Sequence, residues 1–166
     1  MQSVGPRTRL AALLAAAAGA AAFAQQPSRP LELASFPRTT LEITHRDAQR
    51  VSHRHLFQVW IADTPERAEQ GLMFVSDLPA TFGMVFPVEP PRIESMWMKN
   101  TYIELDMLFI RADGRVSKII ERAAPLSLRT LSSETPVAAV LELKGGEAAR
   151  LGLAVGDAVS WKKPGG

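Results

Sequence analysis

The chain of 166 residues contains no cysteine. This absence excludes a disulfide framework, thiol catalysis and metal sites built from thiolates, so apolar burial alone has to stabilise the fold. It also excludes a lipoprotein, which needs a cysteine at its cleavage site. Roughly 125 ordered residues are enough for one domain with its own core.

Other functional signatures are also missing. There is no Gly-x-Ser-x-Gly elbow, and no histidine follows Ser127, Ser132 and Ser133, which argues against a serine hydrolase. Gly145 and Gly146 are too slight a signal for a phosphate-binding loop and indicate a turn. No catalytic motif is recognisable, which leaves the question of enzymatic activity open, and the sequence predicts no cofactor.

The first 24 residues have the pattern of a secretory signal peptide. Arg7 and Arg9 precede an Ala/Leu-rich run over residues 10–23, which ends in Ala22-Phe23-Ala24. The run is too short to span a bilayer comfortably, which takes about 20 apolar residues, so we expect cleavage after Ala24. The protein is therefore expected to be exported, to the periplasm if the cell has an outer membrane and otherwise as a secreted protein.

Removal of this segment changes the charge balance. The chain has 19 Lys and Arg against 17 Asp and Glu, and the loss of Arg7 and Arg9 leaves 17 against 17. The basic residues are scattered rather than clustered, so we expect no nucleic-acid partner. No basic amphipathic helix follows residue 24, so we also expect no membrane contact after cleavage.

Composition also suggests the domain boundaries. Residues 25–38 hold three prolines and no hydrophobic period, which predicts a flexible tether. Residues 39–162 are expected to form a single β-rich domain, and residues 163–166 a disordered tail.

Strand patterns dominate this domain. Strands are expected at residues 41–44, 56–61, 83–86, 96–101, 105–110, 116–120, 137–143 and 157–161. Segments 96–101 and 105–110 are apolar on both faces, as interior strands are. Asp113-Gly114 predicts a hairpin that joins segments 105–110 and 116–120. Pro87, Pro90 and Pro91 are expected to end the strand that precedes them.

Two short helices complete the prediction. Residues 63–71 combine a capping residue, Pro65 at the first helical position and a terminal Gly71, and residues 147–151 form one or two helical turns that end at Gly152. Strands and helices do not alternate regularly. We therefore expect a mostly β fold in one compact domain, with a curled mixed or antiparallel sheet or a partly open barrel.

Several blocks of the sequence together resemble a known family. The blocks are Ile61-Ala62-Asp63-Thr64-Pro65-Glu66-Arg67, Gly71-Leu72-Met73, Gly83-Met84-Val85-Phe86, Trp97-Met98-Lys99-Asn100-Thr101, Leu105-Asp106, Val140-Leu141-Glu142-Leu143 and Gly156-Asp157. They resemble the domain of unknown function 192 family, also called the uncharacterised protein family 0127, over about residues 39–162. The resemblance implies a compact, mostly β domain that is often exported and has no established activity.

Five polar side chains stand among dense apolar neighbours: Trp97, Lys99, Asn100, Asp106 and Glu142. Burying an unpaired polar group costs roughly 1–3 kcal/mol, so each of them is expected either to be bonded inside the fold or to face a pocket. Lys99 and Asn100 would point to opposite faces of an extended strand, so a bulge or turn is needed for both to face one pocket.

These five residues support more than one function. In the leading hypothesis Lys99 forms a buried ion pair with Asp106 or Glu142, and the pocket binds a small polar ligand or an envelope glycan stacked over Trp97. For the side chains themselves, a structural ion pair and a satisfied amide that fix strand register are slightly better supported than a ligand site. A hydrolase with Asp106 and Glu142 as paired carboxylates is the first alternative, and a non-catalytic protein-interaction module is the second.

Two residue groups have some metal-binding character. His53 and His55, with His45 upstream, could offer imidazole ligands, but Arg54 and its basic neighbours repel a cation, which favours a solvated edge strand. The methionines could bind Cu(I), but their apolar neighbours favour core packing. These methionines are Met73, Met84, Met96, Met98 and Met107. We therefore expect no metal site.

Overall fold

The structure is a computed structural model that describes residues 30–162. The expected signal peptide, residues 25–29 of the expected tether and the expected tail at 163–166 lie outside the described residues. The described elements are a 3-10 turn at Leu33–Ser35, β1 (Arg38–Arg46), β2 (Ser52–Ile61), α1 (Pro65–Gln70), β3 (Phe82–Arg92), β4 (Ser95–Met96), β5 (Leu105–Ile110), β6 (Val116–Ala123), β7 (Leu131–Ser132), β8 (Val137–Lys144), α2 (Glu147–Leu151) and β9 (Ala158–Trp161).

Seven of the strands form one mixed sheet in the order β6-β5-β8-β3-β2-β1-β9, and β4 pairs separately with β7. Within the sheet only β2 and β3 run parallel, and α1 lies in the connection between them. A single bridge between Arg115 and Ala158 links the start of β6 to β9, although the sheet is not closed. The predicted mostly β domain with a curled mixed sheet is confirmed.

The sheet buries side chains on both faces because successive residues of a strand point to opposite sides. All seven strands contribute to the inner cluster, including Val116 and Val159 from the two edge strands, so this cluster lies inside the curl. The outer cluster includes Met84 and Phe109 on the sheet and is covered by loop residues such as Leu72. Within residues 30–162, no helix has the length and apolarity needed to cross a bilayer.

Several local predictions are confirmed. The Thr64 side chain accepts a hydrogen bond from the Arg67 backbone N–H at the start of α1, and Gly71 ends the helix with its N–H on the Arg67 carbonyl oxygen. The hairpin turn at Gly114 joins β5 to β6, and Gly152 ends α2 in a left-handed conformation with a φ of 67°.

The strand predicted at residues 96–101 is wrong. Only Ser95 and Met96 belong to a strand, and the chain then turns, with Asn100 at a φ of 54° and the Thr101 N–H donating to the Met98 carbonyl oxygen. Met98 is fully buried in the outer cluster. The segment is apolar because it covers one face of the sheet, and not because it is an interior strand.

The prediction that prolines end the strand after Phe86 is also wrong, because β3 continues to Arg92. Pairing with β2 stops at Val85, so Pro87 and the prolines that follow lie on a stretch with only β8 as its neighbour. Proline has no backbone N–H to donate, so it is tolerated on the side of a strand where no neighbouring strand needs that hydrogen bond.

The tether predicted over residues 25–38 overlaps the folded domain. Its described part contains the turn at Leu33–Ser35, and Phe36 is only 3% exposed within the outer cluster. Arg38 is the first residue of β1 and pairs with Trp60. The high proline content of this segment predicted a tether, although Phe36 is buried in the outer cluster.

Gly71 provides a test of how the end of α1 is built. Its φ is 51°, and a Cβ atom added there would lie 3.1 Å from Cζ of Phe86. Gly71→Ala should therefore lower the free energy of unfolding by about 2 kcal/mol in urea titrations, because backbone strain and crowding add. Gly156→Ala is the matched control, with a φ of 99° and no heavy atom near the added Cβ. Its cost should be about 1 kcal/mol, and equal losses in the two variants would contradict the contact with Phe86.

Candidate functional site

Asp106, near the start of β5, is fully buried and fully hydrogen-bonded. Its Oδ1 accepts from the backbone N–H groups of Arg122 at 2.8 Å and Gly146 at 2.9 Å, and its Oδ2 accepts from that of Ala148 at 2.8 Å. The carboxylate thereby joins β5 to the end of β6 and to the first turn of α2. Its observed role is structural.

Glu142, in β8, is also buried but has no such partners. It pairs with Met84 of β3 and with Met107 of β5, both of which are fully buried. Its side chain is 4% exposed, and its buried Oε2 has no hydrogen-bond partner among the described residues. Burial raises the pKa of Glu142 to about 8, so the side chain is a neutral carboxylic acid at pH 7.

The register separates these two acids. Asp106 pairs with Leu143, whereas Glu142 pairs with Met107. Paired residues of neighbouring strands share a face and successive residues alternate, so the two carboxyl groups lie on opposite sides of the sheet. The hypothesis of Asp106 and Glu142 as paired catalytic carboxylates is therefore wrong.

The buried ion pair expected for Lys99 is also wrong. Lys99 is exposed, in the turn that follows Met98, and its Nζ lies 5.2 Å from the centroid of the Trp97 ring. This distance is within the range of a cation–π interaction. Trp97 itself is 48% exposed. The turn thus presents the ammonium group and the indole to solvent, away from Asp106.

Trp97 and Glu142 nevertheless line the same cleft, of about 220 Å³. It lies between the carboxyl end of α1, β3 and the segment 94–101, and we call it the β3 cleft. Of the five predicted site residues, only these two line it, whereas Lys99, Asn100 and Asp106 do not. Its polar and charged lining residues include Glu69, Arg92, Glu94, Ser95, Thr101 and Glu142.

The sequence reasoning missed one wall of the β3 cleft. Arg92 and Glu94 form an ion pair with 2.8 Å between a guanidinium nitrogen and Oε2, although this contact lacks the direction of a hydrogen bond. The Glu94 N–H donates to Oγ of Ser133, and its Oε1 accepts from the N–H of Ser95. The only signal in the sequence is an Arg and a Glu two residues apart, after a stretch expected to be a loop.

Asn100 does not line the cleft but contacts Met73, which does. Its Nδ2 donates to Sδ of Met73 at 3.8 Å, and its carbonyl oxygen accepts from the Phe74 N–H at 2.9 Å. The Leu126 N–H donates to the Thr101 carbonyl oxygen. Phe74, Asn100 and Leu126 all have positive φ angles, between 54° and 66°. Strained backbone of this kind clusters at functional sites, and here it fixes the loops beside the cleft.

Two of the three histidines, His45 and His53, are held by acids. Nδ1 of His45 lies 3.1 Å from both carboxylate oxygens of Asp157, and Nε2 of His53 lies 2.8 Å from Oδ2 of Asp47. Within residues 30–162, no three His, Asp or Glu side chains are arranged so that they could hold a metal ion. Three of the five methionines, at 84, 98 and 107, are fully buried as predicted, whereas those at 73 and 96 line the β3 cleft.

The hydrogen bonds of Asp106 predict a large stability effect. Asp106→Ala leaves three backbone N–H groups without their acceptor, so the free energy of unfolding should fall by about 3 kcal/mol or more. Asp113→Ala is the control, since Asp113 is 55% exposed in the hairpin turn, and it should cost less than about 1 kcal/mol. Urea unfolding of both variants measures the difference, and similar losses would contradict the structural role of Asp106.

Burial of Glu142 predicts a pH dependence of stability. The folded state keeps the proton up to about pH 8, whereas the unfolded state loses it near the ordinary value of 4.5. Stability should therefore fall as the pH rises through this window, by about 1.4 kcal/mol per pH unit, relative to Glu142→Gln. Urea unfolding of both proteins at a series of pH values measures the difference, and His55, whose pKa is lowered mainly by burial, contributes equally to both. Parallel profiles would show that Glu142 ionises freely.

Comparisons with known proteins place this fold in a family. The DUF192 model, described as Uncharacterized ACR, matches residues 46–161. A solved structure of a candidate transcription regulator from Sinorhizobium meliloti 1021 is 38% identical, has a TM-score of 0.71, and covers 76% of this chain and 95% of its own. A protein of unknown function from Novosphingobium aromaticivorans DSM 12444 is 34% identical, with a TM-score of 0.72 and coverage of 80% and 91%.

The search of curated proteins found no match. The family model covers well over half of the chain, including Trp97, Lys99, Asn100, Asp106 and Glu142. The resemblance seen in the sequence is confirmed, and the chain belongs to the DUF192 family.

Proposed function

We propose that the protein binds a small polar ligand, such as one unit of an envelope glycan, in the β3 cleft. The observation that carries this proposal is the carboxyl group of Glu142, which lines the cleft and whose Oε2 has no hydrogen-bond partner among the described residues. An unpaired buried polar group costs roughly 1–3 kcal/mol. A ligand that forms a hydrogen bond with Glu142 removes this cost, and the free energy recovered contributes to the affinity of the ligand.

The protonation state of Glu142 suits a polar ligand. Because burial raises its pKa to about 8, the side chain offers one O–H donor together with acceptor oxygens at neutral pH. A hydroxyl or amino group can use both. Thr101 is a second polar residue that lines the cleft, and its hydroxyl donates to the Lys99 carbonyl oxygen, which leaves the lone pairs of the hydroxyl free to accept.

Trp97 supplies an apolar surface at the rim. An indole that is 48% exposed can pack against the flat face of a sugar ring. The volume of about 220 Å³ lies below the roughly 300–1,000 Å³ typical of drug-sized pockets, so the cleft suits one ring-sized group. The signal-peptide pattern of residues 1–24 supports export, which would bring the protein to the glycans of the cell envelope.

The S. meliloti relative is described as a transcription regulator, but the lining of the β3 cleft in this chain does not favour nucleic acid. Two carboxylates, from Glu69 and Glu94, and the neutral carboxyl group of Glu142 line the β3 cleft against the single guanidinium of Arg92. Such a surface repels phosphates, and phosphate contacts supply most of the affinity of proteins for nucleic acid.

Ligand binding can be tested by thermal-shift screening of the purified protein against envelope-derived glycan fragments. A fragment present at 100 times its dissociation constant should add about 2.7 kcal/mol of stability. Trp97→Ala and Glu142→Leu should each weaken the binding of a hit by about tenfold or more, because the first removes the indole surface and the second removes the hydrogen-bonding carboxyl group.

Tyr102→Ala is the matched control for Trp97→Ala. Tyr102 is 53% exposed and packs edge-on against Phe74, but it is not one of the lining residues of the cleft. Its removal should leave affinity unchanged. A hit that binds Trp97→Ala and Glu142→Leu as tightly as the wild type would contradict the proposed site, and capture of one protein partner without any glycan hit would favour an interaction module.

A further inference from the structure

If the β3 cleft binds a small polar ligand, as proposed above, the charge of its lining indicates which chemical class of ligand it favours. Its charged lining residues are Glu69 from the end of α1, Arg92 from the end of β3 and Glu94, and they lie beside the neutral carboxyl group of Glu142. Arg92 is already paired with Glu94. The carbonyl end of α1, at Ala68 to Gln70, also borders the cleft, and helix carboxyl ends carry partial negative charge. The excess of negative groups favours a cation.

Two buried oxygen atoms support this reading independently of the charge count. Oε2 of Glu142 and Oε2 of Glu94 are both shielded from solvent, and neither accepts a properly directed hydrogen bond within the described residues. Both residues line the β3 cleft. An ammonium group has three N–H donors and no acceptor, so it satisfies carboxyl oxygens without leaving a lone pair of its own unpaired.

The rim of the cleft already binds an ammonium group of the protein. Nζ of Lys99 lies 5.2 Å from the centroid of the Trp97 ring, and Lys99 is otherwise exposed. The indole face therefore attracts a cation in this position. A ligand amine that approaches Trp97 competes with Lys99, and the flexible lysine side chain can withdraw into solvent.

We propose that the ligand of the β3 cleft carries a protonated amine, as an amino sugar does, and that this ammonium group is bound by the carboxyl groups of Glu142 and Glu94 with Trp97 at the rim. Glu142 is protonated in the empty cleft. The bound ammonium group favours the ionised carboxylate, so the Glu142 proton passes to solvent as the ligand binds, and the product is an ammonium–carboxylate pair. The charged groups that set this balance are Glu69 on α1, Arg92 on β3, Glu94 beyond it and Lys99 at the rim.

Isothermal titration calorimetry of the purified protein with two probes tests the proposal. The probes are a trimer of β-1,4-linked glucosamine and its fully N-acetylated counterpart, which differ in the amine. At roughly pH 6, where Glu142 is protonated and the free amine is charged, the glucosamine trimer should bind at least about tenfold more tightly. Titrations in phosphate and in MES, which differ in ionisation enthalpy, should show release of about one proton per bound trimer.

Two variants separate the roles of the side chains. Glu142→Gln should abolish proton release and weaken the binding of the glucosamine trimer by about tenfold or more, because the neutral amide cannot form the charged pair. Lys99→Met should instead tighten binding several-fold, by roughly 2–5 times, because it frees the ring and removes a competing charge. A loss of affinity in Lys99→Met would contradict the proposed competition and, with it, the placement of the amine at Trp97.

The outcomes distinguish this inference from the proposed function. Equal affinity for the two trimers without proton release would overturn the amine and leave a polar-ligand site in place. Absence of saturable binding for both trimers, together with an empty glycan screen, would overturn both proposals. The comparison of the two trimers uses the wild-type protein alone, so it decides the matter even if a substitution at Glu142 prevents folding.

Discussion

The pairing of β5 with β8 is the constraint on which both buried acids depend. These strands are the second and third in the order of the seven-stranded sheet, and their register sets Asp106 beside Leu143 and Glu142 beside Met107. A shift of one residue would exchange the two faces. In the observed register, Asp106 meets the backbone N–H groups that fix α2, whereas Glu142 meets only apolar side chains and the β3 cleft. One sheet thus gives two carboxyl groups opposite roles.

Much of the local fold could be predicted because the relevant signals are short-range. The start of α1 is predicted by the capping side chain of Thr64 and by Pro65, and its end is predicted by Gly71. In the same way, Gly114 predicts the hairpin turn between β5 and β6. The apolar residues of β5 and β8 mark interior strands for a similar reason, since both faces of each strand are buried. Glu142 is a candidate site residue on sequence grounds, because burial of a carboxyl group in such a strand is costly unless the group is hydrogen-bonded.

The remaining features depend on contacts that are distant in sequence. Met98 is as apolar as a strand residue, but it is buried by a loop that crosses the outer cluster, and only the tertiary structure shows this. Burial of Phe36 was hidden by the surrounding prolines. Glu94 reaches the cleft because β3 continues through three prolines, which no short-range rule predicts. The prediction that Asp106 and Glu142 are paired carboxylates is wrong because the sequence shows which residues are present but does not show the register of β5 against β8.

The β3 cleft combines a rigid floor with loops that can vary. Glu142 is held in a central strand, so its position follows from the sheet itself, which the S. meliloti and N. aromaticivorans structures resemble with TM-scores of 0.71 and 0.72. Trp97 and Glu94 lie outside the main sheet, on segments held by backbone hydrogen bonds and by the β4–β7 pair. Changes in these segments alter the rim without disturbing the buried acid. For the ligand that we propose, the floor would provide the buried hydrogen-bonding group, and the rim would provide the selectivity.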